Sequence, residues 1–206
     1  DTIKLGSNDG KSDIIIMGIS DGMDLIEQFK AGATNGDIFK YTGNLTDVES
    51  SLNSSNGTNG SDEILSVDFL NQSKNSSLDV SNLVIGFQTG VTQNGLSDGA
   101  KIDFTAVGIS SIQILAHIET SLENKNDGGG SGYLSGSSGQ QVLQGDANEI
   151  KILLFDDGGT GVEKDTAVVL YQEGGVAESD FSGELSILAL IDGVGVSALT
   201  HDNFYG

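Results

Sequence analysis

Glu149-Ile150-Lys151-Ile152-Leu153-Leu154-Phe155-Asp156-Asp157-Gly158-Gly159-Thr160-Gly161, followed by Asp165-Thr166-Ala167-Val168-Val169-Leu170-Tyr171, decides how this chain folds. Each half holds a short run of β-branched and aromatic residues, and an acidic, glycine-rich turn separates the two. That pattern reads as strand, turn, strand, with the strands over Ile150–Phe155 and Ala167–Tyr171. Similar runs recur along the chain, bounded by Gly, Asn or Asp. They predict further strands over Ile14–Met17, Asp37–Tyr41, Ile64–Phe69, Leu83–Phe87, Lys101–Thr105 and Leu185–Ile191.

Helical spacing interrupts this rhythm in a few places. Thr46-Asp47-Val48-Glu49 has the pattern of a capping box, with Val48 and Leu52 four apart. Ser110-Ser111-Ile112-Gln113 has the same pattern, followed by an apolar stripe of Ile112, Leu115, Ala116, Ile118 and Leu122. Asp21–Phe29 suits either a short helix or a turn. The fold expected is therefore mainly β, with strands in a β-roll-like or β-sandwich arrangement and two short helices.

The spacing also suggests an internal duplication. Glu63-Ile64 leads to Phe69 as Glu149-Ile150 leads to Phe155, and Asp79 stands to Glu63 as Asp165 stands to Glu149. The expected organisation is a roll-like segment over 1–35 and a β-rich domain over 36–206. That domain holds two strand–helix–strand–strand units, at about 36–95 and 99–182, and a closing segment over 183–206. Ser50–Ser61 and Asn124–Gln140 are Ser/Asn/Gly-rich connections.

Composition narrows the function. Thirty acidic side chains face nine basic ones, all lysine, for a formal charge of -21 on 206 residues. Phosphate backbones and anionic membranes would repel such a chain, so nucleic acid is not an expected partner. No apolar run approaches the roughly 20 residues of a membrane-spanning helix. With no cysteine there is no disulfide, thiolate metal site or thiol nucleophile. No His-Glu-x-x-His or Gly-x-Ser-x-Gly motif occurs, and the two histidines, His117 and His201, lie far apart in sequence. An enzyme is not expected. The first residues have neither the basic nor the apolar region of a secretory leader, and the missing initiator Met suggests a piece of a longer chain.

So many carboxylates in one folded body need screening by salt or neutralisation by bound cations. Aspartates on glycine-rich turns supply the oxygens that calcium prefers. Three groups are candidates. Asp1 and Asp13 each precede an aliphatic residue by two, with Asp9 on the intervening Gly6–Gly10 turn; an ordinary Asp/Gly hairpin fits the same pattern. Asp21 and Asp24 flank Gly22. Asp156 and Asp157 lie on the turn quoted above, with Asp165 placed to close it as the next strand begins.

Asp1-Thr2-Ile3-Lys4-Leu5-Gly6, then Gly22–Phe29 and Gly36-Asp37-Ile38-Phe39, resemble the exit of a repeats-in-toxin (RTX) array. The later stretches Phe155–Gly161, Asp165–Leu170 and Ala198-Leu199-Thr200-His201-Asp202-Asn203-Phe204 are similar to the tails of RTX-type S-layer proteins and adhesins. The chain departs from that family in having no intact nonapeptide and two long Ser/Asn-rich insertions. The resemblance implies calcium binding, type I secretion through an uncleaved C-terminal signal, and folding outside the cell where calcium is available. The function expected is a calcium-stabilised secreted structural protein that self-associates into a surface layer or fibrous coat. A calcium-dependent adhesin or ligand-binding module, or the non-catalytic secretion tail of a larger RTX protein, would carry the same signals. The acidity alone would also suit a metal-free β protein kept hydrated in high salt.

Overall fold

The computed structural model of the protein describes residues 1–6, 10–19, 22–32, 34–43, 45, 64–67, 84–87, 102–123, 150–157, 164–172, 181 and 183–204. These residues are mostly strands. They comprise β1 (Thr2–Lys4), β2 (Ile14–Met17), β3 (Asp24–Glu27), β4 (Ile38–Tyr41), β5 (Ile64–Val67), β6 (Val84–Phe87), β7 (Ile150–Asp156), β8 (Thr166–Gln172) and β9 (Leu185–Ile191). Helix α1 (Ser111–Glu123) is the one α-helix among them, and two 3₁₀ turns, Val196–Ala198 and His201–Asn203, follow β9.

Seven strands form one mixed sheet in the order β1-β3-β9-β8-β7-β6-β5, while β2 and β4 form a second, two-stranded sheet. Only β8 runs against its neighbours. The first four strands alternate between the sheets: β1 pairs with β3 in parallel, and β2 with β4. The chain thus winds as two stacked coils, and β3 carries the winding into the large sheet through β9. The winding continues through β4, beyond residue 35.

The large sheet is covered on both faces. On one side Phe87, Leu153, Phe155, Val169 and Tyr171 pack with Ile114, Ile118 and Leu122 of α1. On the other, Ile152, Leu154, Val168 and Leu170 pack with Ile15, Met17 and Phe39 of the small sheet and with Val196, Leu199 and Phe204. Strands buried on both faces lose the apolar/polar alternation of a solvated sheet, hence the unbroken run Ile152–Phe155. Phe87 and Phe155 stand opposite each other on neighbouring strands, with rings stacked 4.7 Å apart. Between β8 and β9 the register slips: Val168 faces Ala189 and Val169 faces Ile187, leaving Leu188 as the extra residue of a bulge. The slip turns Leu188, Ala189 and Ile191 toward the small sheet, while Leu185 and Ile187 face the helix.

Several sequence expectations need correction. Residues 102–105 are a turn, because the Asp103 side chain takes the Thr105 amide at 2.9 Å and so offers the backbone an alternative to a ladder. The helical reading of Asp21–Phe29 fails: Asp24–Glu27 is a strand, held between β1 and β9 with Ile26 fully buried. The capping box of α1 forms as read. Gln113 Oε1 accepts from the Ser110 amide at 3.0 Å, and the Gln113 amide donates to Ser110 Oγ at 3.3 Å. Its buried stripe differs: Ile114 is core, whereas Ile112 and Ala116 face solvent. The helix expected from Thr46 lies outside the described residues. Of the strand pairs matched by the duplication, β5 and β6 are parallel and β7 and β8 antiparallel.

Candidate metal centre

Three carboxylates meet where β7 ends, β8 begins and the chain turns toward α1. One oxygen from each of Asp103, Asp157 and Asp165 lies within 4.8 Å of the others. Asp157 and Asp165 are buried and Asp103 is exposed. Local structure accounts for the convergence. The Asp157 amide donates to the Asp165 carbonyl at 2.9 Å, extending the β7–β8 ladder by one rung. Asp165 Oδ1 accepts from the Gly193 amide at 2.8 Å, and its Oδ2 accepts from the Thr105 hydroxyl at 2.8 Å. The same hydroxyl lies 3.0 Å from Asp103 Oδ1, so its single proton is shared between two carboxylates. Gly193 sits at φ +70°, a backbone conformation that favours glycine and directs its amide at Asp165.

Three like charges at this separation repel one another, and more strongly when two are withdrawn from water. A divalent cation among them would turn that repulsion into attraction. The donor set is all oxygen and multiply anionic, which suits a hard ion such as calcium. Asp103, Asp157 and Asp165 are the residues that would hold it. It would tie the β7–β8 connection to the turn that launches α1.

Asp156 is used differently. Adjacent residues of a strand point to opposite faces, so it projects away from Asp157. It is fully buried, accepting from the Val196 amide and pairing with Lys164 Nζ at 3.0 Å. Burial raises its pKa above the ordinary 3.8, with the Val196 hydrogen bond and Lys164 opposing that shift. The folded state therefore binds this proton more tightly than the unfolded state. The resulting stability is full below pH 3.8 and is lost as pH rises through the folded pKa. Asp156→Asn keeps an acceptor for Val196 and removes that loss, so its stability relative to the parent should rise from mildly acidic to neutral pH. Asp156→Ala strands a buried amide and should cost about 2 kcal/mol. Urea unfolding across pH checks both; parallel curves for parent and Asn variant would contradict the assignment.

The remaining predicted ligands are placed elsewhere. Asp9 and Asp21 lie outside the described residues. Asp1 is exposed at the head of β1, its carbonyl accepting from the Leu25 amide, and Asp24 is buried at the head of β3. Asp13 Oδ2 accepts from the Gly6 amide at 3.2 Å, and its carbonyl accepts from the Ile38 amide at 2.8 Å. Among the described residues, none of these joins a group of three metal-ligating side chains.

The sequence reading missed Asp103 by placing it in a strand. Asp103-x-Thr105 followed by Ala106-Val107-Gly108 was the available signal, an aspartate that caps its own turn. It also missed Asp37, buried before β4, whose Oδ1 accepts from the Asp13 amide at 2.9 Å and Oδ2 from the Lys30 amide at 2.7 Å. That carboxylate fastens the two coils to each other. No family model, curated protein or solved structure matches the chain.

Proposed function

We propose that the protein is a calcium-stabilised, secreted structural protein that assembles into a cell-surface layer or fibrous coat. The convergence of Asp103, Asp157 and Asp165 from distant parts of the chain carries this reading. Such a cluster forms only on folding, so an ion held there favours the folded state by mass action. The net charge of -21 supports it, because a body this acidic gains from any counter-ion it can hold. The stacked parallel coils of β1 to β4 accord with the roll-like segment that the RTX resemblance implies. Secretion by a type I route and folding where calcium is plentiful belong to the same reading.

Calcium on an acidic surface would also bridge neighbouring copies and reduce the repulsion between them. Electron microscopy of the protein in millimolar calcium should show ordered sheets or fibres that disperse when a chelator is added and return when calcium is restored. Assemblies that persist in chelator would remove calcium bridging from the proposal; a dispersed monomer in calcium would remove assembly itself.

A further inference from the structure

The outer face of the β2–β4 sheet is apolar and exposed. Ile15 and Met17 point inward to the core, while Ile14 and Ile16 are 61% and 59% exposed. The parallel register sets Ile14 beside Ile38 and Ile16 beside Lys40, whose side chain is also exposed. The patch is therefore aliphatic with one cation in it. Across the large sheet, on the helix layer, the turn before α1 and the helix's first turn present Val107 and Ile112, 106% and 77% exposed. On this layer Asp103 is exposed and Glu119 half-buried, and residues 102–123 include no lysine.

These two surfaces lie on opposite sides of the central sheet, as the two core clusters show, so they do not meet within one molecule. Resting on the assembly reading above, we propose that they meet between copies: the Val107/Ile112 protrusion of one molecule docks on the Ile14/Ile16 face of the next. Charge selects this pairing over its alternatives. Two small-sheet faces brought together would oppose Lys40 to Lys40, and two helix layers would oppose acid to acid. Only the mixed contact sets a lysine against an acidic surface. A contact between unlike patches on opposite sides of a molecule is head-to-tail and does not close after two copies. It propagates as a chain, the geometry a layer or fibre requires.

The chain has no cysteine, so introduced thiols report the contact directly. Ile16→Cys and Val107→Cys proteins, mixed in calcium and gently oxidised, should give the 16–107 heterodimer in about tenfold excess over either homodimer, a preference of one decade in association. A chain carrying both cysteines should give a disulfide ladder on a non-reducing gel. As a second readout, Ile16→Glu places a like charge on the docking face without disturbing the core, and should shift sedimentation of the otherwise unaltered protein toward monomer. Assembled protein that yields 16–16 or 107–107 dimers, or heterodimer at only the random-pairing ratio, overturns the docking geometry and leaves assembly standing. Unmodified protein that sediments as monomer in calcium at every concentration overturns both.

Discussion

Asn203→Ala should cost about 4 kcal/mol, a large part of the 5–15 kcal/mol or so by which such a domain is stable. Asn203 has no exposed surface and sits in the last 3₁₀ turn, yet its side chain reaches back to the winding at the other end of the chain. Its Oδ1 accepts from the amides of Gly32 and Thr200 at 3.1 and 3.0 Å, and its Nδ2 donates to the carbonyl of Asp37 at 2.8 Å. Truncation leaves the buried Asp37 carbonyl and the part-buried Gly32 and Thr200 amides without these bonds, each carrying a desolvation cost. Asn203→Asp is the sharper control. It is isosteric, but it replaces the donor facing Asp37 with a second acceptor and should be as damaging as alanine. Gly36→Ala tests the same junction from the other side, since a Cβ there would run into the Gly32 carbonyl and Asn203 Nδ2. Equilibrium unfolding in urea is the measurement. If Asn203→Ala unfolds within about 1 kcal/mol of the parent, the pin between the terminal segment and the coils is not what holds them.

Millimolar calcium should raise the thermal midpoint by about 5–10 °C. An ion at a hundred times its dissociation constant stabilises the state that binds it by about 2.7 kcal/mol. For a domain of this size each kcal/mol moves the midpoint by about 2–4 °C. Asp157→Asn and Asp165→Asn should abolish most of that rise. Each keeps the volume of the side chain and an oxygen for its hydrogen bonds, Asp165 to Gly193 among them, while removing one charge from the triad. Asp103→Asn should reduce the rise for the same reason. Asp156→Asn should leave it intact, since Asp156 is committed to Lys164 and Val196 on the far side of the strand. Calorimetric scans of parent and variants in calcium, in chelator, and in sodium of matched ionic strength separate site binding from screening. A rise that sodium reproduces, or one that both buried variants retain, would place the cation effect on the diffuse surface charge and away from this centre.

Much of the scaffold was legible along the chain. The runs Ile14–Met17 and Leu185–Ile191 are strands over the residues predicted, and Ile150–Phe155 and Ala167–Tyr171 miss by a residue or two at their ends. β-branched clusters bounded by turn residues are a local signal, and local signals survive folding when tertiary packing agrees with them. The capping box at Ser110 belongs to the same class, because both of its partners lie within one turn of helix. Where local and distant preferences compete, the reading failed. Leu25 and Ile26 are as compatible with a helix as with a strand, and two flanking strands from opposite ends of the chain made them β3. In α1 two apolar stripes were available, and the sheet beneath the helix selected Ile114 over Ile112.

By itself the sequence determined the charge, the mainly β character, the helix start at Ser110, and an acidic strand end whose Asp157 faces Asp165. Only the tertiary structure decided which carboxylates meet. Strand alternation sends Asp156 to one face and Asp157 to the other, and the turn at Asp103 arrives beside Asp165 from sixty residues upstream through a shared threonine hydroxyl. The reason is physical: secondary structure follows from contacts between near neighbours, whereas a ligand cluster depends on which distant segments the core brings together.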